Sequence, residues 1–114
     1  MLLFFIIFTF IKFSYSNDVP QILPILSHFN VGLGKTFKIP CALVMGSEPI
    51  EFQWLKNGFE IVPNSRIFWE SKPSSSFLVF KFLQENDSSN YSCHAQNLFG
   101  SDSQSTYLRV QGKI

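Results

Sequence analysis

Apolar and polar side chains alternate along much of this 114-residue chain. Phe37, Ile39 and Cys41 fall on one side of such a run, with Lys38 and Pro40 on the other. Ile50, Phe52 and Trp54 repeat the pattern against Glu51, Gln53 and Leu55. Leu78 and Phe80 repeat it again with Val79 outward, and Leu83 closes the core after them. Strand side chains point to opposite faces with period two, so each run predicts a half-buried strand.

Turn residues separate these runs at short intervals: Gly32 and Gly34, residues 46–49, Asn57-Gly58, residues 73–76, and Asn97 with Gly100. Asn57-Gly58 is the sharpest of them, because both residues tolerate positive φ in a two-residue hairpin. Further strands are expected over residues 61–63 and 66–70. Residues 90–96 and 103–110 should form a last hairpin, with 97–100 at its tip. Residues 17–26 carry Pro20 and Pro24, which suits a kinked edge strand, since proline cannot donate to a central ladder. Pro40 removes one donor from its own strand, so a local irregularity is expected there. No long helical period and no internal repeat are visible. The pattern is that of an all-β chain of two packed sheets.

The first residues do not belong to that count. Residues 1–11 are almost unbroken apolar sequence, followed by Lys12 and Phe13-Ser14-Tyr15-Ser16. An apolar run of this length ahead of small residues reads as a secretory signal peptide, residues 1–16, cleaved after Ser16. It is shorter than the roughly twenty apolar residues that span a bilayer. The expected mature chain is residues 17–114. It carries no second apolar run long enough to cross a membrane. Nine basic side chains face eight acidic ones in the whole chain. Removing Lys12 with the leader makes the mature part balanced. A near-neutral domain without charge runs makes nucleic acid and acidic membrane surfaces poor partners.

Cys41 and Cys93 are the only cysteines. Trp54 lies between them, and Tyr91 precedes Cys93 by two positions. This Cys…Trp…Tyr-x-Cys frame resembles that of immunoglobulin-type sandwiches. Leu78-x-Phe80-x-x-Leu83, Asp87-x-Ser89-x-Tyr91-x-Cys93-x-Ala95-x-Asn97-x-x-Gly100 and Trp54-Leu55-Lys56-Asn57-Gly58 resemble the intermediate-set (I-set) immunoglobulin domain in particular. The pattern covers essentially all of residues 17–114. Ser89 departs from it, because the family usually carries Gly or Ala there. Within that family the chain resembles domains of arthropod Down syndrome cell adhesion molecule proteins. The residues behind this are Ile22-Leu23-Pro24, Phe29, the run from Pro49-Ile50 through Asn57-Gly58 to Ile61, and Asn90 to Asn97.

The resemblance implies an immunoglobulin-like β-sandwich of two antiparallel sheets bridged by a Cys41–Cys93 disulfide, with Trp54 packed on the bridge. It implies that the Tyr91 hydroxyl bonds back to upstream backbone. Closing a loop of this length should add roughly 4 kcal/mol in the chain-entropy view. A bridge also fits a secreted domain, since cytosolic thiols stay reduced. In related domains an Asp at position 87 pairs with an Arg on the facing edge, here Arg66. The other role open to it is capping a turn.

The residues that could carry chemistry are few. Asn86-Asp87-Ser88 and Asn90-Tyr91-Ser92 are N-glycosylation sequons. Gly34-Lys35-Thr36 fails as a phosphate loop, because Phe29 stands where the motif needs glycine. His28 and His94 are the only histidines and no cysteine is spare, so no metal set forms. Neither histidine has a supporting nucleophile motif, so no cofactor and no catalysis is expected. The remaining feature is excess apolar surface at Phe59, Phe68, Trp69, Leu98 and Phe99. One of Phe68 and Trp69 should face outward, since they are adjacent. These residues either contact a partner domain or fill the ends of the core.

The sequence thus predicts a non-enzymatic module of extracellular protein–protein recognition. Its expected place is secreted or on the outer face of the plasma membrane, as the N-terminal domain of a larger adhesion protein. Its expected partners are other immunoglobulin-type domains, itself included. The alternative is a soluble secreted immune or antagonist factor that binds a heterologous ligand.

Overall fold

Two sheets face each other in the computed structural model, which describes residues 17–112. The expected leader and its cleavage point, and residues 113–114 of the expected domain, lie outside the described residues. One sheet contains β1 (Gln21–Ile22), β3 (Phe37–Met45), β7 (Ser75–Phe80) and β6 (Ile67–Lys72), in the order β1-β3-β7-β6. The other contains β2 (His28–Gly32), β9 (Ser101–Gln111), β8 (Ser89–Gln96), β4 (Glu51–Lys56) and β5 (Phe59–Glu60), in the order β2-β9-β8-β4-β5. A 3₁₀ turn, Glu85–Asp87, leads into β8.

The alternating residues meet between the sheets. Ile39, Cys41, Leu78 and Phe80 come from one sheet and Trp54, Tyr91, Cys93, Ala95 and Leu108 from the other, all buried. Each large aliphatic or aromatic side chain withdrawn in this way contributes about 1.5–3 kcal/mol. The Asn57-Gly58 turn has φ of 51° and 83° and joins β4 to β5 with Lys56 opposite Phe59, as the dipeptide predicts.

Four expectations are corrected. The first concerns the N-terminal segment, which is an edge strand only as far as Leu23. It then crosses at Pro24 to the other sheet, where β2 pairs with β9 in parallel. The sandwich is therefore not purely antiparallel.

The second concerns Pro40. The β3–β7 ladder runs in unbroken register from Phe37↔Phe80 to Ala42↔Ser75. Ala42 O accepts a bond from Leu23 N (2.8 Å), so Ala42 directs its backbone groups toward β1. Pro40, two residues earlier, directs its nitrogen the same way, to an edge that β1 has already left. The missing donor costs nothing there, and the register irregularity falls in β1–β3 instead.

The third is Val79, which lies on the outer face yet is only 2% exposed. Lys38 and Phe68 flank it in register on the two neighbouring strands and cover it. The fourth is the strand expected at residues 61–63. It lies instead at Phe59–Glu60, because the two-residue turn starts pairing immediately.

Candidate recognition surface

The core frame is assembled from three strands. Cys41 on β3 and Cys93 on β8 are bonded, with Cα atoms 6.4 Å apart and both residues fully buried. Trp54 lies opposite Cys93 in the β4–β8 register. Its indole Nε1–H donates to Ser76 Oγ on the other sheet (3.0 Å), and Ser76 Oγ lies 2.8 Å from Ser71 Oγ. This pair of hydroxyls satisfies the one polar atom that Trp54 brings into the core. Sequence pattern did not reveal it, because Ser76 looks like part of the preceding turn.

Tyr91 donates its hydroxyl to Asp87 O and packs edge-on against Phe80, centroids 5.1 Å apart. Burial pushes the Tyr91 hydroxyl above its ordinary pKa, with a further push from Asp87.

Asp87 is 1% exposed and holds both proposed roles at once. Arg66 donates to it in bidentate fashion, Nη1 to Oδ2 at 2.7 Å and Nη2 to Oδ1 at 2.9 Å. Gln84 N–H also donates to Oδ2, at 2.8 Å, capping the 3₁₀ turn. Burial alone would raise the Asp87 pKa. The Arg66 and Gln84 hydrogen bonds outweigh it and hold the carboxyl below its ordinary value. The paired guanidinium of Arg66 is raised in turn.

At the opposite end, Asn97 ties three segments together. Its Nδ2 donates to Asp18 O (2.7 Å) and Ser47 O (3.0 Å). Its Oδ1 accepts from Phe99 N (2.8 Å) and Gly100 N (3.1 Å). One side chain thereby fixes the N-terminal segment, the β3–β4 loop and the β8–β9 turn. Asp18 N–H also donates to Ser47 Oγ (2.8 Å), and Asp18 O accepts from Ser47 N (3.0 Å). Gly100 closes the arrangement, because a Cβ there would stand 2.9 Å from Val19 Cγ1. On this fixed base Leu98 is 89% and Phe99 47% exposed. Val19, Val44 and Met45 are exposed at the same end.

The five apolar candidates do not form one patch. Leu98 and Phe99 share the tip. Phe59 is exposed but follows the Asn57-Gly58 turn at the other end of β8, where Asn57 N donates to Asn90 O. Trp69 turns inward and packs against the core cluster, and Phe68 takes the outward place over Val79. Asn86 and Asn90 are both exposed, at the end remote from the tip. Lys56 Nζ donates to Asn86 O (3.1 Å), and Asn57 Oδ1 accepts from Asn90 N (3.3 Å). Among the described residues no helix is long and apolar enough to cross a membrane.

Comparison with known proteins agrees with this geometry. The chain is 31% identical to human junctional adhesion molecule A over 86 residues, covering 69% of this chain and 29% of the relative. It is 29% identical to human cell adhesion molecule DSCAML1 over 93 residues, covering 82% of this chain and 4% of the relative. Among solved structures, the I67–I69 I-band fragment of titin superposes with a TM-score of 0.76 at 28% identity, covering 82% of this chain and 33% of the fragment. The chain spans between 2% and 29% of the length of the first curated relatives it matches. The immunoglobulin I-set domain family matches residues 20–110. Disulfide, core tryptophan and tyrosine corner all fall inside that match, and the chain belongs to the I-set immunoglobulin family, a family of binding modules rather than enzymes.

Proposed function

We propose that the chain is an extracellular recognition module, the N-terminal domain of a larger cell-surface adhesion protein. In this reading residues 1–16 direct secretion and are removed, and the partner is another immunoglobulin-type domain, a second copy included. The observation that carries it is the tip at Leu98 and Phe99. Two large apolar side chains stand in solvent on a turn held by four hydrogen bonds from Asn97. Ordering such a tip costs little on binding, since its backbone is already fixed. Apolar residues on a fixed turn supply the anchor that interfaces concentrate at their centre.

Titin-type I-set domains share the fold, so the fold alone does not select the compartment. The buried Cys41–Cys93 bridge favours an oxidising one. Human junctional adhesion molecule A and DSCAML1 are adhesion molecules by name, which supports the same reading. A glycan on Asn86 or Asn90 is part of the proposal. Carried at the far end of β8, it leaves the tip uncovered. Peptide mapping of secreted material with and without glycosidase tests it, and unmodified Asn86 and Asn90 would remove it.

Sedimentation of the secreted domain over a wide concentration range tests the recognition itself. Dimers that weaken at least tenfold in Leu98→Glu and Phe99→Glu variants of unchanged melting temperature support contact through the tip. A dimer untouched by both substitutions overturns the tip as its site. A strict monomer overturns self-recognition and leaves a heterologous partner, the soluble-factor reading.

A further inference from the structure

On the flank of the domain one sheet has an open edge, which begins beside the tip, where Glu51 lies opposite Gln96. β4 pairs with β8 from Glu51 to Lys56, but on its other side β5 covers only Leu55 and Lys56. Ile61 N donates one more bond, to Trp54 O (3.2 Å), and the chain then leaves the sheet. Alternate residues of an antiparallel strand direct both backbone groups to the same side. Trp54 directs its carbonyl to the β5 side, and so Phe52 directs its N–H and C=O there too. Among the described residues nothing pairs with them.

This edge borders a cleft between the two sheets. Phe52, Ile61 and Trp69 line its apolar side, and Glu51, Gln53 and Glu60 its polar side. Glu60 accepts a hydrogen bond from Gln53. The Glu51 side chain makes no hydrogen bond or ion pair among the described residues and is exposed. Among the described residues no cation lines the cleft. Lys56, the basic residue of β4, donates its ammonium to Asn86 O instead. An open edge, an aromatic wall and two carboxylates without a cation therefore occur together.

We infer that this edge takes an extended basic segment of a partner protein as an added strand beside β4. The segment's backbone would pair with Phe52. One set of alternating side chains would enter the cleft against Trp69 and Ile61, and a Lys or Arg would meet Glu51 and Glu60. Strand addition draws affinity from main-chain bonds and specificity from alternating side-chain positions. Charge also selects against a second copy at this edge. Joining two β4 edges would bring the two carboxylate pairs together, and such charges on an open edge discourage self-pairing.

The test is a titration of the isotope-labelled secreted domain with a blocked hexapeptide alternating valine and arginine, against its valine–glutamate counterpart. Amide resonances of Phe52, Trp54 and Ile61 should shift with the arginine peptide, and at least tenfold less with the glutamate peptide. Glu51→Lys combined with Glu60→Lys should reverse that preference. Both positions are exposed, so the variant should keep its amide spectrum elsewhere. If the variant does not fold, Glu51→Gln alone should weaken the arginine peptide at least threefold. Equal response to the two peptides, shifts confined to other strands, or no shift at millimolar peptide overturns the inference. So does concentration-dependent self-association that perturbs the Phe52 amide.

Discussion

Replacing Asn97 with Ala removes four hydrogen bonds at once, two to the carbonyls of Asp18 and Ser47 and two from the tip amides. The residue is half-buried, so water reaches part of what is left unpaired. At a net 0.5–1 kcal/mol per bond, the loss should be about 2–4 kcal/mol. For a domain of this size that is a fall in melting temperature of roughly 10–30 °C. Asn97→Asp sharpens the test. It keeps an acceptor for Phe99 N and Gly100 N but sets a charged oxygen against two carbonyls. It should therefore cost at least as much as the alanine variant near neutral pH. Hydrogen exchange locates the effect: the amide of Ser47, bonded to Asp18 O at 3.0 Å, should lose protection before the amides of β8 and β4 do. Asn97→Ala losing less than about 0.5 kcal/mol, with Ser47 protection unchanged, would refute the view that this side chain pins the N-terminal segment.

Three further outcomes follow from the core. The Asp87 carboxyl is held below its ordinary value of 3.8, so its contribution is full above about pH 4 and lost as pH falls through the lower folded value. Urea unfolding of wild type should weaken on acidification through that range, and Asp87→Asn should be less stable at pH 7 and flatter below pH 4; parallel curves would contradict the pairing with Arg66. The Tyr91 hydroxyl is raised above its ordinary value of 10.0, so its contribution is complete below pH 10 and declines as pH rises further. Ultraviolet titration should show one tyrosine that ionises only with unfolding, and Tyr91→Phe should abolish that step. Ser89 Oγ and Thr106 Oγ1 are buried and make no hydrogen bond among the described residues. Ser89→Ala should leave stability unchanged or raise it by about 1 kcal/mol by chemical denaturation, and a loss of that size would show that the hydroxyl has a partner.

What the sequence made legible was what depends on local period and local turn chemistry. The alternation around Cys41, Trp54, Leu78 and Tyr91 placed the inward faces, because strand geometry leaves a side chain only two directions. Asn57-Gly58 placed a hairpin, because few residue pairs accept two positive φ angles. The features that pattern missed are set by partners distant in the chain. Pro40 is harmless only because β1 departs at Leu23. Val79 is buried on an outer face only because Lys38 and Phe68 stand beside it. Asn97 lay within the recognised motif, yet its role rests on Asp18 and Ser47, 79 and 50 residues away. The candidate contact residues suffered most. Exposure of Phe68 against Trp69 depends on register, and adjacency alone cannot decide it.

The Asn97 arrangement also divides the tip into parts under different constraint. Asn97 and Gly100 cannot change without disturbing the N-terminal segment, one through its hydrogen bonds and the other through the space it leaves for Val19. Leu98 and Phe99, set between them, support little of the fold with their side chains. A lineage can therefore exchange those two residues and alter which surface the domain prefers, at small expense to folding. Fixed bracket and free pair together make the turn a replaceable cassette, on which divergence of binding preference can proceed faster than divergence of structure.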